Sequence, residues 1–277
     1  IRGFGDVRSG ASRYSDWPAY DVVSQAMGGM MDITGPGPGE PLKIGPGVGD
    51  TIPGLYLALG IVSAVLNAKT TGVGQFVDVA MVDAVLAVCE RIVHQYSFGG
   101  TVPGSEGNHH PFLLPFGAYP AKDGHVAIAC PGDRFFPSLC AALGAADIVS
   151  DPRFKNAEAR AENRALFIQI LSELTSRYTK AELTNRLGGL VPFGPVNTIA
   201  EIVADQHFDV RDMLPEIDVP GVPTPLRIAG QPLKFSETPG GVRRRGPLLG
   251  EHTVSILREF RVPDLDIKRW RAAGAIN

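Results

Sequence analysis

Residues 51–68 constrain the fold more than any other segment. Leu55, Leu59, Val62 and Leu66 recur at the 3.6-residue period of a helix, and Tyr56, Leu57, Ala58 and Ile61 make its other faces apolar too. A helix apolar on nearly every face is expected to be buried, with neighbours on more than one side. The chain has 277 residues, enough for two domains or one large α/β unit with a sizeable core. With 44% hydrophobic and 20% charged residues, general disorder is excluded. The 55–66 run contains Gly60 and reads as too short to span a bilayer, so no membrane association is expected.

Gly (33) and Pro (23) make up about a fifth of the residues without a G-X-Y period, which points to many tight turns. A formal net charge of -3 gives no chain-wide basic footprint for nucleic acid. Cys89, Cys130 and Cys140 include no C-x-x-C pair. They read as buried small hydrophobes rather than a disulfide framework or a zinc site, and a cytoplasmic location fits. The opening Ile1-Arg2-Gly3-Phe4-Gly5 reads like the end of a strand, and no signal peptide is visible. The chain is expected to begin inside a domain.

Residues 11–49 are loop-rich, with a short helix expected over 21–31. Helix 51–68 is expected to carry Asp50 as its N-cap and Pro53 in its first turn. Residues 75–81 alternate like a strand, and Asp83 caps a helix reaching Tyr96. A hairpin is predicted from 116–120 and 125–129 around Asp123-Gly124. Helices follow near 134–144 and 160–178. Thr179-Lys180-Ala181-Glu182 is a capping box for another, which ends at Gly188-Gly189. A strand over 190–198 and a helix over 199–205 come next, then extended segments over 212–236. A last amphipathic helix over 250–260 should turn Val254, Leu257 and Phe260 inward. The expected organisation is 1–100 as part of a large domain, 101–210 as a small α+β domain, and 211–277 as a tail that packs on another surface.

Asp50 follows a glycine-rich approach, Gly45-Pro46-Gly47-Val48-Gly49. Its plain reading is a helix cap. The positive helix end also favours an ionised carboxylate, and a carboxylate held there can act as a nucleophile. Both readings stand on position alone.

Gly3-Phe4-Gly5, the run from Tyr20 to Gly29, Gly49-Asp50 and the run from Thr71 to Ala80 resemble the family III CoA-transferases, the CaiB/BaiF type that includes formyl-CoA transferase. So do Asp151-Pro152-Arg153-Phe154, Gly194-Pro195-Val196 and the run from Pro247 to Thr253. The resemblance implies an α/β fold: a Rossmann-like large domain with a smaller α+β domain, two chains interlocking as a homodimer. It implies CoA transfer from an acyl-CoA donor to a small carboxylic acid, with coenzyme A as co-substrate and no tightly bound cofactor. Asp50 matches the family's nucleophile, and the implied route runs through an aspartyl-CoA thioester. Backbone N–H groups at the helix start and in glycine loops are the expected oxyanion donors.

The same resemblance makes Ala19, Tyr20 and Asp21 candidate CoA contacts, and Tyr20 also reads as an aromatic packing residue. Gly49, Gly107, Asn108 and His109 are candidate substrate contacts, the last three in a loop matching the lid of formyl-CoA transferase. His110 follows them, but no partner spacing makes the histidine pair a metal site. Related α-methylacyl-CoA racemases carry His where Tyr20 stands, and a phenol is a poor base at neutral pH. That departure argues for a transferase over a racemase; a racemase or epimerase stands as the first alternative, and a non-catalytic CoA-binding remnant as the second. Arg243-Arg244-Arg245 reads as a solvated face or a phosphate contact.

Overall fold

The structure, a computed structural model, describes residues 1–276. The chain forms two compact units, 1–196 and 197–277.

The first unit opens with α1 (Asp21–Met27), α2 (Val48–Thr71), α3 (Met81–Val88) and α4 (Glu90–Gly99). α2 packs against α1 and α3. It is longer than the sequence predicts because Gly47 is its N-cap, which makes Asp50 its third residue and places Pro53 inside the helix. The cap chemistry comes from a distance: the Gly49 N–H donates to Asp21 Oδ1 at 2.8 Å.

α2 also departs from the burial expected of it. Leu55, Leu59, Val62 and Leu66 are 66–73% exposed. The elements against α2 lie on its opposite side, where Gly49, Pro53 and Ala64 are buried. Among the described residues it is the one helix whose length and composition suffice to cross a membrane, although the 55–66 run alone read as too short.

The expected strand over 75–81 is an extended segment. Its strand-type pairing among the described residues is one parallel bridge, Arg2 to Ala80. Its partner segment bends at once: Asp6 turns inward, taking the Arg8 guanidinium at 2.8 Å, and the Asp6 N–H donates to Asp78 at 2.8 Å. The segment lies on α2 at Gly60, where a side chain would stand 2.9 Å from Val77.

The rest of the first unit is a three-stranded antiparallel sheet flanked by helices. β1 (Phe116–Ala121) and β2 (Gly124–Ala129) form the predicted hairpin, in the register Tyr119 to Val126. α5 (Phe136–Ala142), α6 (Ala157–Glu162), α7 (Arg164–Thr175) and α8 (Lys180–Leu187) follow, then β3 (Phe193–Pro195), which pairs with β2. The capping box Thr179/Glu182 is present, and Asp123 in the hairpin turn accepts the Lys180 N–H at 2.7 Å. Leu114, Tyr119, Val126, Leu139, Phe154 and Leu183 belong to one core cluster. Cys130 and Cys140 lie in the same cluster, and burial pushes both thiols up to about 11.

Arg160 is fully buried in this unit, which no sequence signal announced. Its guanidinium donates to the carbonyls of Leu114, Phe154 and Gly132 and pairs with Asp133 at 2.9 Å. It thereby ties the approach to β1 to the turn before α5.

The second unit has α9 (Ile199–Ala204), α10 (Gln206–Val210) and a two-stranded pair, β4 (Glu216–Ile217) with β5 (Leu226–Arg227). It ends with α11 (Thr253–Glu259) and α12 (Asp264–Ala272). α12 carries no strong apolar period that would mark it in the sequence, and Ile267 is its buried residue. Phe260, expected inward, is 78% exposed because α11 stops one residue before it. Arg245 of the arginine run forms a forked ion pair with Glu251 at 2.7 and 2.8 Å, so it is held within its own segment.

Candidate active site

The site begins where α1 meets the start of α2. Gly49 has no room for a side chain, since a Cβ there would stand 2.5 Å from the Asp21 carbonyl oxygen. Glycine thus lets the two helices touch.

Asp21 is the hub of this junction. Its carboxylate accepts from Gln25 Nε2 at 2.9 and 3.0 Å as well as from the Gly49 N–H, with Lys43 Nζ 3.7 Å away. The Gln25 hydrogen bonds lead the causes that hold the Asp21 carboxyl below its ordinary value, joined by the Gly49 N–H and Lys43 and opposed by desolvation. Gln25 is itself fully buried, and its other end accepts the Ile44 N–H at 3.0 Å. One glutamine therefore ties α1, the 43–47 approach and, through Asp21, the first turn of α2. Gln25 lay within the family motif, but helical spacing alone gives a polar residue no such role.

Asp50 is exposed on the first turn of α2. Its Oδ2 and Asp21 Oδ1 lie 4.0 and 3.9 Å from the point where a side chain on Gly47 would stand, so the two carboxylates flank that glycine. The first-turn N–H groups are already engaged. Val48 donates to Pro46, Gly49 to Asp21, and Asp50 and Thr51 to Gly47. The expected oxyanion donors at the helix start are thus occupied within the chain.

The other candidate residues fall into two groups. Ala19 and Tyr20 lie beside Asp21 at the start of α1. Tyr20 is 80% exposed, so it packs in no core of this chain. Gly107, Asn108 and His109 are together in the second group, on a loop that packs on residues 33–42. There Ser105 Oγ donates to the Gly35 carbonyl at 2.7 Å. Gly107 has a positive φ of 65°, which suits glycine. The N–H groups of Gly107 and Asn108 donate to nothing among the described residues. His109 stacks edge-on against Tyr119 at 5.0 Å, and burial lowers its pKa. The loop roofs a cavity of about 720 Å³ that is also lined by Ile33, Arg91 and His110.

Comparison with known proteins shows the family of the chain. The pattern of CoA-transferase family III matches residues 1–253. Succinyl-CoA:mesaconate CoA-transferase of Haloarcula hispanica is 42% identical over 265 residues, which are 95% of this chain and 66% of that protein. Succinate–glutarate CoA-transferase of Agrobacterium fabrum is 33% identical over 267 residues, covering 94% of this chain and 64% of that protein. A crystal structure of a CaiB/BaiF family protein from Brucella suis is 36% identical, with a TM-score of 0.77 over 94% of this chain and 66% of that one. The chain spans about two thirds of the length of the relatives it matches. With a family pattern over most of its length and the matching mixed α/β fold, the chain belongs to CoA-transferase family III.

Proposed function

We propose that the protein transfers CoA from an acyl-CoA to a free carboxylic acid, with Asp50 as nucleophile. The observation that carries this reading is an exposed carboxylate in the first turn of α2, on a glycine approach fixed by Asp21, in a chain of this family. The relatives' names pair succinyl-CoA or succinate with mesaconate or glutarate, which makes short dicarboxylic acids the substrates of choice here.

The reaction conserves its thioester. Asp50 attacks the donor carbonyl, the C–S bond breaks, and a mixed anhydride and CoA thiolate form. The thiolate attacks the aspartyl carbonyl and expels the donor acid, leaving an aspartyl-CoA thioester. The acceptor carboxylate attacks that thioester and frees the thiolate. The thiolate then attacks the acceptor acyl carbonyl and returns Asp50 as a carboxylate. Each step passes through an oxyanion. With the α2 N–H groups engaged, the Gly107 and Asn108 N–H groups are the donors assigned to it. Ala19 and Tyr20 lie along the CoA, and Asp21 acts through the positioning of α2.

The exposed face of α2 fits a second copy of the chain in an interlocked dimer, because an apolar stripe of that length is stable only when covered. The three cysteines are buried and form no disulfide among the described residues, which suits a reducing compartment such as the cytoplasm.

The test mixes acyl-CoA with isotopically labelled free acid and follows label into the thioester. Label in the new acyl-CoA supports transfer. Exchange of the α-proton in deuterium oxide without transfer supports the racemase alternative, and binding without either supports the non-catalytic one.

A further inference from the structure

The cavity under the 104–111 loop has the size of a small-molecule site. Two charged side chains line it, Arg91 and Glu106, together with His109 and His110. Glu106 is matched by Arg164 at 3.3 Å. Arg91 has no ion-pair partner among the described residues. Its Nη1 donates to Gln95 Oε1 at 2.9 Å, which leaves the rest of the guanidinium fork for a ligand. The cavity therefore holds one unmatched cation.

His110 has a defined tautomer. Its Nδ1 accepts the N–H groups of Phe112 and Leu113, both at 3.1 Å, so the ring proton of the neutral imidazole is on Nε2. Burial, and then the nearby Arg91, lower its pKa, opposed by Glu106. A guanidinium and a fixed imidazole N–H in one cavity are donors for a planar anion, and arginine suits a carboxylate in two-point geometry.

The cavity adjoins a second hollow on the side of residues 34–42. Ile33, Gly107 and Asn108 line both, and Gly35, Pro36 and Leu42 line the second. The next residue, Lys43, lies 3.7 Å from Asp21 at the start of α2.

We propose that Arg91, with the Nε2–H of His110, receives the second carboxylate of a dicarboxylic acid substrate while the first reacts at Asp50. This rests on the CoA-transferase reading and adds the residues that select the acid.

Calorimetric binding of glutarate and butyrate to the protein and to Arg91→Gln tests the selection without needing turnover. The protein should prefer glutarate, and Arg91→Gln should lose about 10- to 100-fold in glutarate affinity with butyrate unchanged. Arg91→Lys should recover part of the loss. In transfer assays the same variant should lower kcat/KM for glutarate and not for butyrate. No preference for glutarate, or a preference that survives in Arg91→Gln, overturns the proposal. Covalent labelling of Asp50 by acyl-CoA reports separately on the transfer reading. Labelling that persists while the selection fails leaves transfer standing and removes Arg91 from it.

Discussion

The sheet-and-helix region over 114–191 and the α1–α3 region that carries Asp50 are both rich in apolar residues, but they spend them differently. In the first, Leu114, Tyr119, Phe154 and Leu183 are essentially inaccessible to water. In the second, the buried cluster is Met30, Val85 and Cys89, while the Leu55–Leu59–Val62–Leu66 stripe faces outward. The 114–191 region closes on its own side chains. The Asp50 region is anchored by a polar junction, Gln25–Asp21–Gly49, and leaves its largest apolar face for another surface. Burial is thus concentrated in one region, and the proposed nucleophile sits in the other.

Substitutions can break that division. The largest effect on activity is expected from Asp50→Asn, which should lower transfer by about three orders of magnitude or more. Its stability should change within about 0.5 kcal/mol, as expected at an exposed position. Steady-state kinetics and urea unfolding check the two halves together.

Arg160→Ala should do the reverse. It leaves three carbonyls and Asp133 without their donor and should cost about 3–5 kcal/mol in urea unfolding. The kcat of the fraction that stays folded should be unchanged.

Leu59→Glu sharpens the comparison. If a second copy covers α2, the buried unpaired charge should dissociate the dimer in sedimentation experiments. If the stripe is open to water in the assembly, stability should move by only about 0.5 kcal/mol.

Gln25→Ala strips Asp21 of two hydrogen bonds and orphans the Ile44 N–H. It should cost about 1–3 kcal/mol and lower kcat, because α2 loses the junction that fixes its first turn.

The smallest effect is on pH dependence. The folded pKa of Asp21 is depressed, so its stabilising contribution is fully present above the unfolded carboxylate value, near 3.9. It is lost as pH falls toward the lower folded value. Asp21→Asn should flatten that part of the acid-unfolding curve. A curve of unchanged shape would show that Asp21 is not held as described.

What was legible in the sequence was local. The Thr179/Glu182 capping box, the Asp123-Gly124 hairpin and the buried cysteines each depend on nearby residues or on side-chain type. The start of α2 differs from the expected one because a first-turn N–H is satisfied by Asp21, 28 residues away in sequence, and Asp50 is not the cap. The 3.6-residue period identified α2 as an apolar helix but carried no information about what covers it, so burial was inferred and exposure found. Arg160 gave no signal because a buried arginine differs from a surface one only in its surroundings. At the site, the family motif brought Asp21 and Asp50 to notice. Gln25 as the tie between Asp21 and the Ile44 N–H, and Arg91 in the lining of the loop cavity, are visible only in the folded chain.

The most direct test of the account is to trap Asp50. The protein is incubated with acyl-CoA alone, without acceptor acid, and quenched with hydroxylamine or borohydride, after which its peptides are weighed. An aspartyl anhydride or thioester becomes a hydroxamate with the first and an alcohol with the second. The account predicts either mark on the peptide containing Gly49, Asp50 and Thr51, and on no other. A mark on Asp21 or Glu106 instead, or no mark under conditions that support turnover, would contradict it.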